Sequence, residues 1–346
     1  MKKVILYFVG FIFICFIVPA VCTIPFQTQN SSLITEENIS RVESEISEEV
    51  VTNINEAEPH NYGEYATIKL MHLESAEIEE LGLDKYLYGV VSAEMPVSYE
   101  MEALKAQAVV ARTYTIYQIK NNGTKHVGAN ICDSYACCQA WISKENRFSK
   151  WEESEKESNW QKIVAAVDET KGKIITYEGQ PINAFFHSNS GGITESSVNI
   201  WGGIEYPYLK SVETAGEEGY SQYSSEVSFS KEELINKLKE THNEIEINWN
   251  EENAIQILEY TESGRVRTIK FGNTSIAGTE ARTILGLKST NFVIEYLDET
   301  IIFSVKGYGH GVGMSQTGAD SLAKQGNGYE EIIKHFYSGV EITNYK

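Results

Sequence analysis

Apolar and polar positions divide the chain into three regimes. After Met1, Lys2 and Lys3 comes "VILYFVGFIFICFIVPAVC", the longest run without a charge. As a helix, a run of roughly 19 residues reaches about 28 Å, the thickness of a bilayer's hydrocarbon core. The pattern predicts a single-pass membrane anchor over 1–23, with Lys2 and Lys3 holding the amino end in the cytoplasm and the remainder of the chain extracytoplasmic. A signal peptide cut after Ala20-Val21-Cys22, or lipid attachment at Cys22, are the alternatives. Residues 24–64 include "ITEENISRVESEISEEVVTNINEAEPHN", dense in carboxylates and poor in large apolar residues, which predicts an acidic disordered spacer.

From residue 65 the pattern turns globular. "ATIKLMHLE" alternates as a strand does, and "IEELGLDKYLYGVVSAEMP" carries an apolar face that breaks at Pro96. Ser98 is placed to cap a following helix, on which Leu104, Ala108, Ala111 and Thr115 form one narrow face up to Asn122-Gly123. Residues 213–304 read as a separate lobe. Within it Ser230 caps "SKEELINKLKE", Ser263-Gly264 turns a hairpin, Thr279 caps "EARTILGL", and "NFVIEYL" and "IIFSVKG" are strand-like. "YEEIIKHFYSG" closes the chain with Ile332, Ile333 and Phe336 on one face. Helices mixed with antiparallel strands predict an α+β fold, two lobes around a groove.

Composition narrows the chemistry. A formal charge of −20 leaves no basic stripe for a nucleic-acid partner. No phosphate-binding glycine loop follows a strand, so nothing points to an organic cofactor. Outside the anchor stand Cys132, Cys137 and Cys138. With His126 in "HVGANICDSYACC" they make a three-thiolate, one-imidazole set for one structural zinc ion. One disulfide plus a buried thiol, or three reduced cysteines, are the other readings, and neighbouring Cys137 and Cys138 are awkward as joint ligands.

Two glycine-rich stretches carry polar side chains. "HSNSGGITES" offers His187, Ser188, Ser190 and Glu195, with Trp201 beyond, and "GYGHGVGMSQTGADSLAKQG" offers His310, Ser315 and Gln316. All can hydrogen-bond sugar hydroxyls and N-acetyl groups, Trp201 can stack on a ring, and the glycines can admit a close approach. Equally, Trp201 can be packing and the glycines a series of turns. Glu94, beside an apolar run, is a candidate for a raised pKa, and on the residues alone Glu195 rivals it.

"YLYGVVSAEMPVSYEMEALKAQAVVARTYT" resembles the stage II sporulation protein D family, which includes amidase enhancers. So do "FFHSNSGGITESSVNIWGGIEYPYLKSV", "GTEARTILGLKSTNF" and "GYGHGVGMSQTGADSLAKQGNGYEEIIKHFYSG", in the family's order from about residue 65 to the end. The resemblance implies a lytic transglycosylase that cuts peptidoglycan between N-acetylmuramic acid and N-acetylglucosamine and leaves 1,6-anhydro ends. Glu94 would be its single acid and base. It also implies engulfment during endospore formation, at the mother-cell membrane facing the forespore, with glycan strands as substrate and stage II sporulation proteins P and M as partners. Some members look as though they carry a metal here, with a histidine where this chain has Cys137. The competing functions are a non-catalytic, glycan-binding amidase enhancer and a zinc-dependent peptidoglycan amidase using His187 or His310, although no HExxH spacing supports the latter. A Cys138–His310 nucleophile pair is more remote.

Overall fold

The computed structural model describes residues 60–122, 125–203 and 205–345. The expected anchor, 1–23, lies outside the described residues, as does the spacer up to residue 59. Among the described residues no helix is long and apolar enough to cross a membrane. Within 60–64, read from composition as the end of the spacer, Tyr62 is buried and its hydroxyl donates to Asp84 Oδ1 at 2.8 Å.

The architecture is mixed α+β, as the pattern predicts. Helix Met101–Asn122 is its axis, packed by helices Leu83–Glu94, Lys156–Asp168, Gln316–Lys324 and Tyr329–Phe336 and by strand Lys173–Tyr177. The expected narrow face is too narrow. Ala103, Ala106, Gln107, Val109, Val110 and Thr113 are buried along with Leu104, Ala108, Ala111 and Thr115, so this helix is enclosed on all sides. Its many alanines let neighbouring backbones approach. Arg112, fully buried on it, donates to the Val167, Thr170 and Lys173 carbonyls, closing the carboxyl end of helix Lys156–Asp168. The helix begins at Met101, not at a Ser98 cap; the Glu100 N–H ahead of it is bound by Asp320 Oδ1 at 2.6 Å, a distant carboxylate in place of a local hydroxyl.

The stretch read as one apolar face divides into strand Ile78–Gly82, paired antiparallel with Thr67–Met71, and helix Leu83–Glu94. Leu83, Tyr86, Leu87, Val90 and Val91 are buried, the i, i+3, i+4 spacing of an inward helical stripe. Met95, preceding Pro96, is extended and ends the helix, which leaves Glu94 as its last residue. Strand Ile131–Cys132 joins Thr67–Met71 in parallel and so attaches the cysteine loop to this unit.

Residues 224–306 enclose a second hydrophobic cluster. Antiparallel strands Ser224–Ser230, Thr300–Lys306 and Asn291–Leu297 form one sheet, in which Ile301, Phe303 and Val305 alternate inward. Strands Ile255–Tyr260, Val266–Phe271 and Thr274–Ala277 form another, with Ser263-Gly264 in the connecting turn. Ser230 caps helix Lys231–Lys239 in a capping box with Glu233, as its spacing predicts. Thr279 does not act as a cap, because helix Gly278–Leu285 starts one residue before it and its Ala277 cap position has no side-chain bond.

Candidate functional site

Glu94 projects from the end of its helix into a cleft of about 480 Å³, whose wall includes Pro96, Arg147, Trp151 and Gln222. The Ala140 N–H donates to Oε1 at 2.6 Å and the Gln316 amide to Oε2 at 3.1 Å. Burial pushes the carboxyl above its ordinary value, while these two bonds oppose the shift. A helix carboxyl end adds no support for negative charge. The result is a carboxyl inclined to hold its proton, in contact with the protein on both oxygens and facing a cleft. Tyr88, which sequence proximity suggests as part of this environment, instead donates to Asp168 Oδ1 at 2.7 Å.

Of the residues expected to bind sugar, only Gln316 touches Glu94. Glu195 is buried, and four donors saturate its carboxylate: Ser196 N at 2.7 Å, Asn199 Nδ2 at 2.8 Å, Thr261 Oγ1 at 2.5 Å and Ser263 Oγ at 2.6 Å. Ser190 and Ser315 are fully buried and both donate to Glu217, which Thr317 Oγ1 also reaches at 2.8 Å. Ser315 additionally caps helix Gln316–Lys324. Ser188 serves through its carbonyl, which accepts the Thr317 N–H at 3.0 Å. None of these, nor any other residue from 187 to 201, lines the Glu94 cleft. Their polar groups instead weld the 187–195 loop to the 307–317 segment.

One further buried group completes that weld. Arg265, fully buried, donates to Ser190 O at 2.6 Å, and Glu195 and Glu217 supply its counter-charge. Gly311 and Gly313 also take a different role from the expected one. Gly311 has φ +84°, and a Cβ there would stand 2.7 Å from the Arg265 guanidinium; at Gly313 one would stand 2.0 Å from Phe185 O. The close approach is between two segments of the protein.

His187 and His310 lie near one another, with ring centroids 5.6 Å apart and planes tilted by 54°, and His310 lies 5.1 Å from the half-exposed Trp201, which also packs on Phe185 at 4.6 Å. His187 Nδ1 donates to Val312 O at 3.1 Å, and His310 Nδ1 accepts from Val312 N at 3.0 Å. Burial drives His187 down to about 3 and His310 well below its usual range, so both rings are neutral near pH 7.

His126, Cys132, Cys137 and Cys138 do converge, their donor atoms all within 4.8 Å of one another. His126 Nε2 lies 3.3 Å from Cys138 Sγ and 3.6 Å from Cys137 Sγ, and the two sulfurs are 3.9 Å apart. Donors around tetrahedral zinc stand about 3.5–3.8 Å apart, close to the separations among His126, Cys137 and Cys138, and Cys132 Sγ completes the set within 4.8 Å. All three cysteines are free thiols, which removes the disulfide reading. Cys138 is engaged with His126 and His310 with Val312, so nothing joins them as a nucleophile pair. Two residues beyond Cys138, Ala140 delivers its N–H to Glu94, and Gln139 between them anchors the loop on Tyr86 and Thr115.

Sequence reading missed Ala140, Gln107, Arg147, Trp151, Glu217 and Arg265. Ala140 acts through its backbone and has no side-chain signature. Arg147 sits in "SKENRFSK", an ordinary surface pattern.

The family model described as stage II sporulation protein matches residues 72–177, and one for a domain of unknown function matches 208–313. Stage II sporulation protein D of Bacillus amyloliquefaciens is 32% identical over 99% of this chain and 96% of its own. That of Bacillus subtilis (strain 168) is 33% identical over 80% and 79%. An amidase enhancer of Bacillus subtilis is 28% identical over 75% of this chain and 40% of its own. Near-complete coverage at this identity makes the chain a member of the stage II sporulation protein D family.

Proposed function

We propose that this sporulation protein is a lytic transglycosylase acting on peptidoglycan strands, with Glu94 as its one acid and base. The observation that carries the reading is a carboxyl, inclined to stay protonated, in a cleft whose wall, among the described residues, holds no other acidic side chain. Hydrolysis would call for two carboxyls across the scissile bond. An intramolecular nucleophile needs only one, and Glu195, the rival, is sealed by its four donors.

Glu94 passes its proton to the glycosidic oxygen as that bond to muramic acid C1 breaks and the N-acetylglucosamine end departs. The resulting carboxylate takes the proton of the muramic acid 6-hydroxyl, whose oxygen closes on C1 to give the 1,6-anhydro ring. The Ala140 N–H and Gln316 amide hold the anion between the two steps. Gln316 can turn its amide to offer oxygen to the protonated acid and N–H to the anion. Gln107, 3.5 Å away and with a buried, unpartnered Nε2, can turn with it. Such positioned proton transfer is worth about 10²–10⁴ in rate.

Zinc held by His126, Cys132, Cys137 and Cys138 would be structural, since four protein ligands leave no position for water. This argues against the zinc-dependent amidase. The zinc would brace the loop that presents Ala140 to Glu94. The remaining proposals are those of the family: a membrane-tethered protein at the engulfing mother-cell membrane, working with stage II sporulation proteins P and M. Likeness to an amidase enhancer supports a second reading, glycan binding without catalysis. Mass spectrometry of peptide-free glycan strands incubated with the full chain in detergent, wild type beside Glu94→Gln, separates them. Anhydro-muramic ends made by wild type and lost in the variant are the expected result. Reducing ends would mean a hydrolase, a freed stem peptide from intact peptidoglycan an amidase, and unchanged strands with retained binding the enhancer.

A further inference from the structure

Lys125, the residue before His126, ties together the two arms of the cysteine cluster. Its Nζ donates to the Cys137 carbonyl at 2.8 Å and also hydrogen-bonds the Cys137 side chain. On the first arm His126 closes a tight turn, its carbonyl accepting the Ala129 N–H at 3.2 Å, with Gly128 at φ +79°. On the second, the Cys137 and Cys138 N–H groups both donate to Ser134 O, at 3.1 and 2.8 Å. Strand Ile131–Cys132 lies between the arms in the chain and pairs with Leu70 and Met71. Lys125 itself is exposed, yet its ammonium is turned back onto the arm that carries two of the three thiols.

Charge gives that contact its meaning. Zinc binds cysteine as thiolate and histidine as neutral imidazole. Two positive charges on the ion against three thiolates leave the set with one net negative charge. The chain already carries a formal charge of −20, so its overall field does nothing to offset that anion. Asp133, next to Cys132, places a carboxylate nearby, bound by His72 Nδ1 and the Leu73 N–H, each at 3.2 Å. The Lys125 ammonium brings one positive charge into direct contact with Cys137, and Cys132 and Cys138 lie within its electrostatic reach. A compact ammonium with three donors can serve a carbonyl and a sulfur together.

We propose that Lys125 is the charge-balancing residue of the metal site, its ammonium offsetting through Cys137 the net negative charge of a three-thiolate, one-imidazole zinc set. This rests on the zinc reading of the four ligands and is independent of the transglycosylase reading. Lys125 acts on the affinity of the site for the ion and takes no part in coordination.

The experiment measures zinc affinity of the full chain in detergent by competition with a chromogenic chelator, at low and at high salt. Removing a group that supports a metal's ligands costs about 10–100-fold in affinity. Lys125 is exposed, so Lys125→Gln should lose roughly tenfold at low salt and less at high salt, where exposed charges are screened. Lys125→Arg, which keeps the charge, should stay close to wild type. Cys137→His tests whether charge is the cause. It keeps four donors and the backbone carbonyl, but leaves the zinc set neutral, so adding Lys125→Gln to it should cost little. A Lys125 that served only by bonding the carbonyl would cost the same in both backgrounds, whatever the salt. Wild-type affinity in Lys125→Gln, or an equal and salt-independent loss in the two backgrounds, overturns the proposal. Should Cys137→His bind no zinc, a loss in Lys125→Gln that salt diminishes and Lys125→Arg avoids supports the proposal, and a loss shared by Lys125→Arg refutes it. A wild-type chain that takes up no zinc refutes the zinc reading and the role of Lys125 with it, an outcome distinct from equal loading of wild type and Lys125→Gln.

Discussion

Glu94 and Glu195 look alike in the sequence, and substituting each separates their roles. Glu195→Ala removes a buried carboxylate that accepts four hydrogen bonds at 2.5–2.8 Å and helps neutralise the buried Arg265. Leaving a buried donor without its acceptor costs about 1–3 kcal/mol. Removing one partner of a buried charge pair costs about 3–5 kcal/mol. Thr261 and Ser263 can rotate toward each other, their oxygens already being 3.1 Å apart, which recovers part of the loss. The expected destabilisation is therefore about 3–5 kcal/mol, a fall in Tm on the order of 5–15 °C. Glu195→Gln keeps an acceptor and the shape, and should cost about 1–2 kcal/mol. Thermal denaturation followed by circular dichroism measures the loss, and anhydro-end counts on the folded fraction measure activity. Folded Glu195→Gln should keep making anhydro ends, whereas Glu94→Gln should make none. Full stability in Glu195→Ala, or activity that disappears with Glu195→Gln and survives Glu94→Gln, would reverse the assignment.

Glu94 has the opposite relation to stability. Its folded pKa lies above the unfolded value of about 4.3, so between the two the native state binds the additional proton and stability falls as pH rises through that window. Glu94→Gln should remove this slope and melt higher than wild type at pH 7 in urea titrations across pH; a lower melting point with an unchanged slope would contradict the burial argument. Gly311→Ala should cost at least ~2 kcal/mol, because positive φ combines with overlap on Arg265, whereas Gly264→Ala, at φ +77° in open space, should cost about 1–2 kcal/mol for backbone strain alone. Equal losses at the two sites would mean that crowding is relieved at Gly311. Denaturing the purified chain in the presence of a chromogenic chelator should release one zinc per chain, and Cys138→Ala should release none and lower Tm; an absence of zinc from wild type refolded with the ion would refute the structural site.

Features governed by neighbours a few residues away were legible. Ser230 sits three residues before Glu233, and their reciprocal bonds require only the local backbone. Ser263-Gly264 between two alternating runs makes its hairpin, and Ile332, Ile333 and Phe336 fall inward together on one helix. His126 and the three cysteines meet because the stretch between His126 and Cys138, a separation of 12 residues, reaches round one point. Ser98 and Thr279 misled for a related reason. A capping residue can act only where the helix starts, and that position is set by packing and by remote acceptors such as Asp320.

The sequence by itself therefore determined the α+β class, the Ser230 cap and the Ser263-Gly264 turn, the family and, through the family's motif, the candidate acid. Tertiary structure alone decided what surrounds each polar group. Ala140 and Gln316, which hold the Glu94 carboxyl, lie 46 and 222 residues from it along the chain. Thr261 and Ser263, which occupy Glu195, are 66 and 68 residues away. Whether a carboxyl becomes an acid facing a cleft or a buried structural anchor depends on how many donors reach it and how much water is excluded. Both are set by segments that meet only when the chain folds.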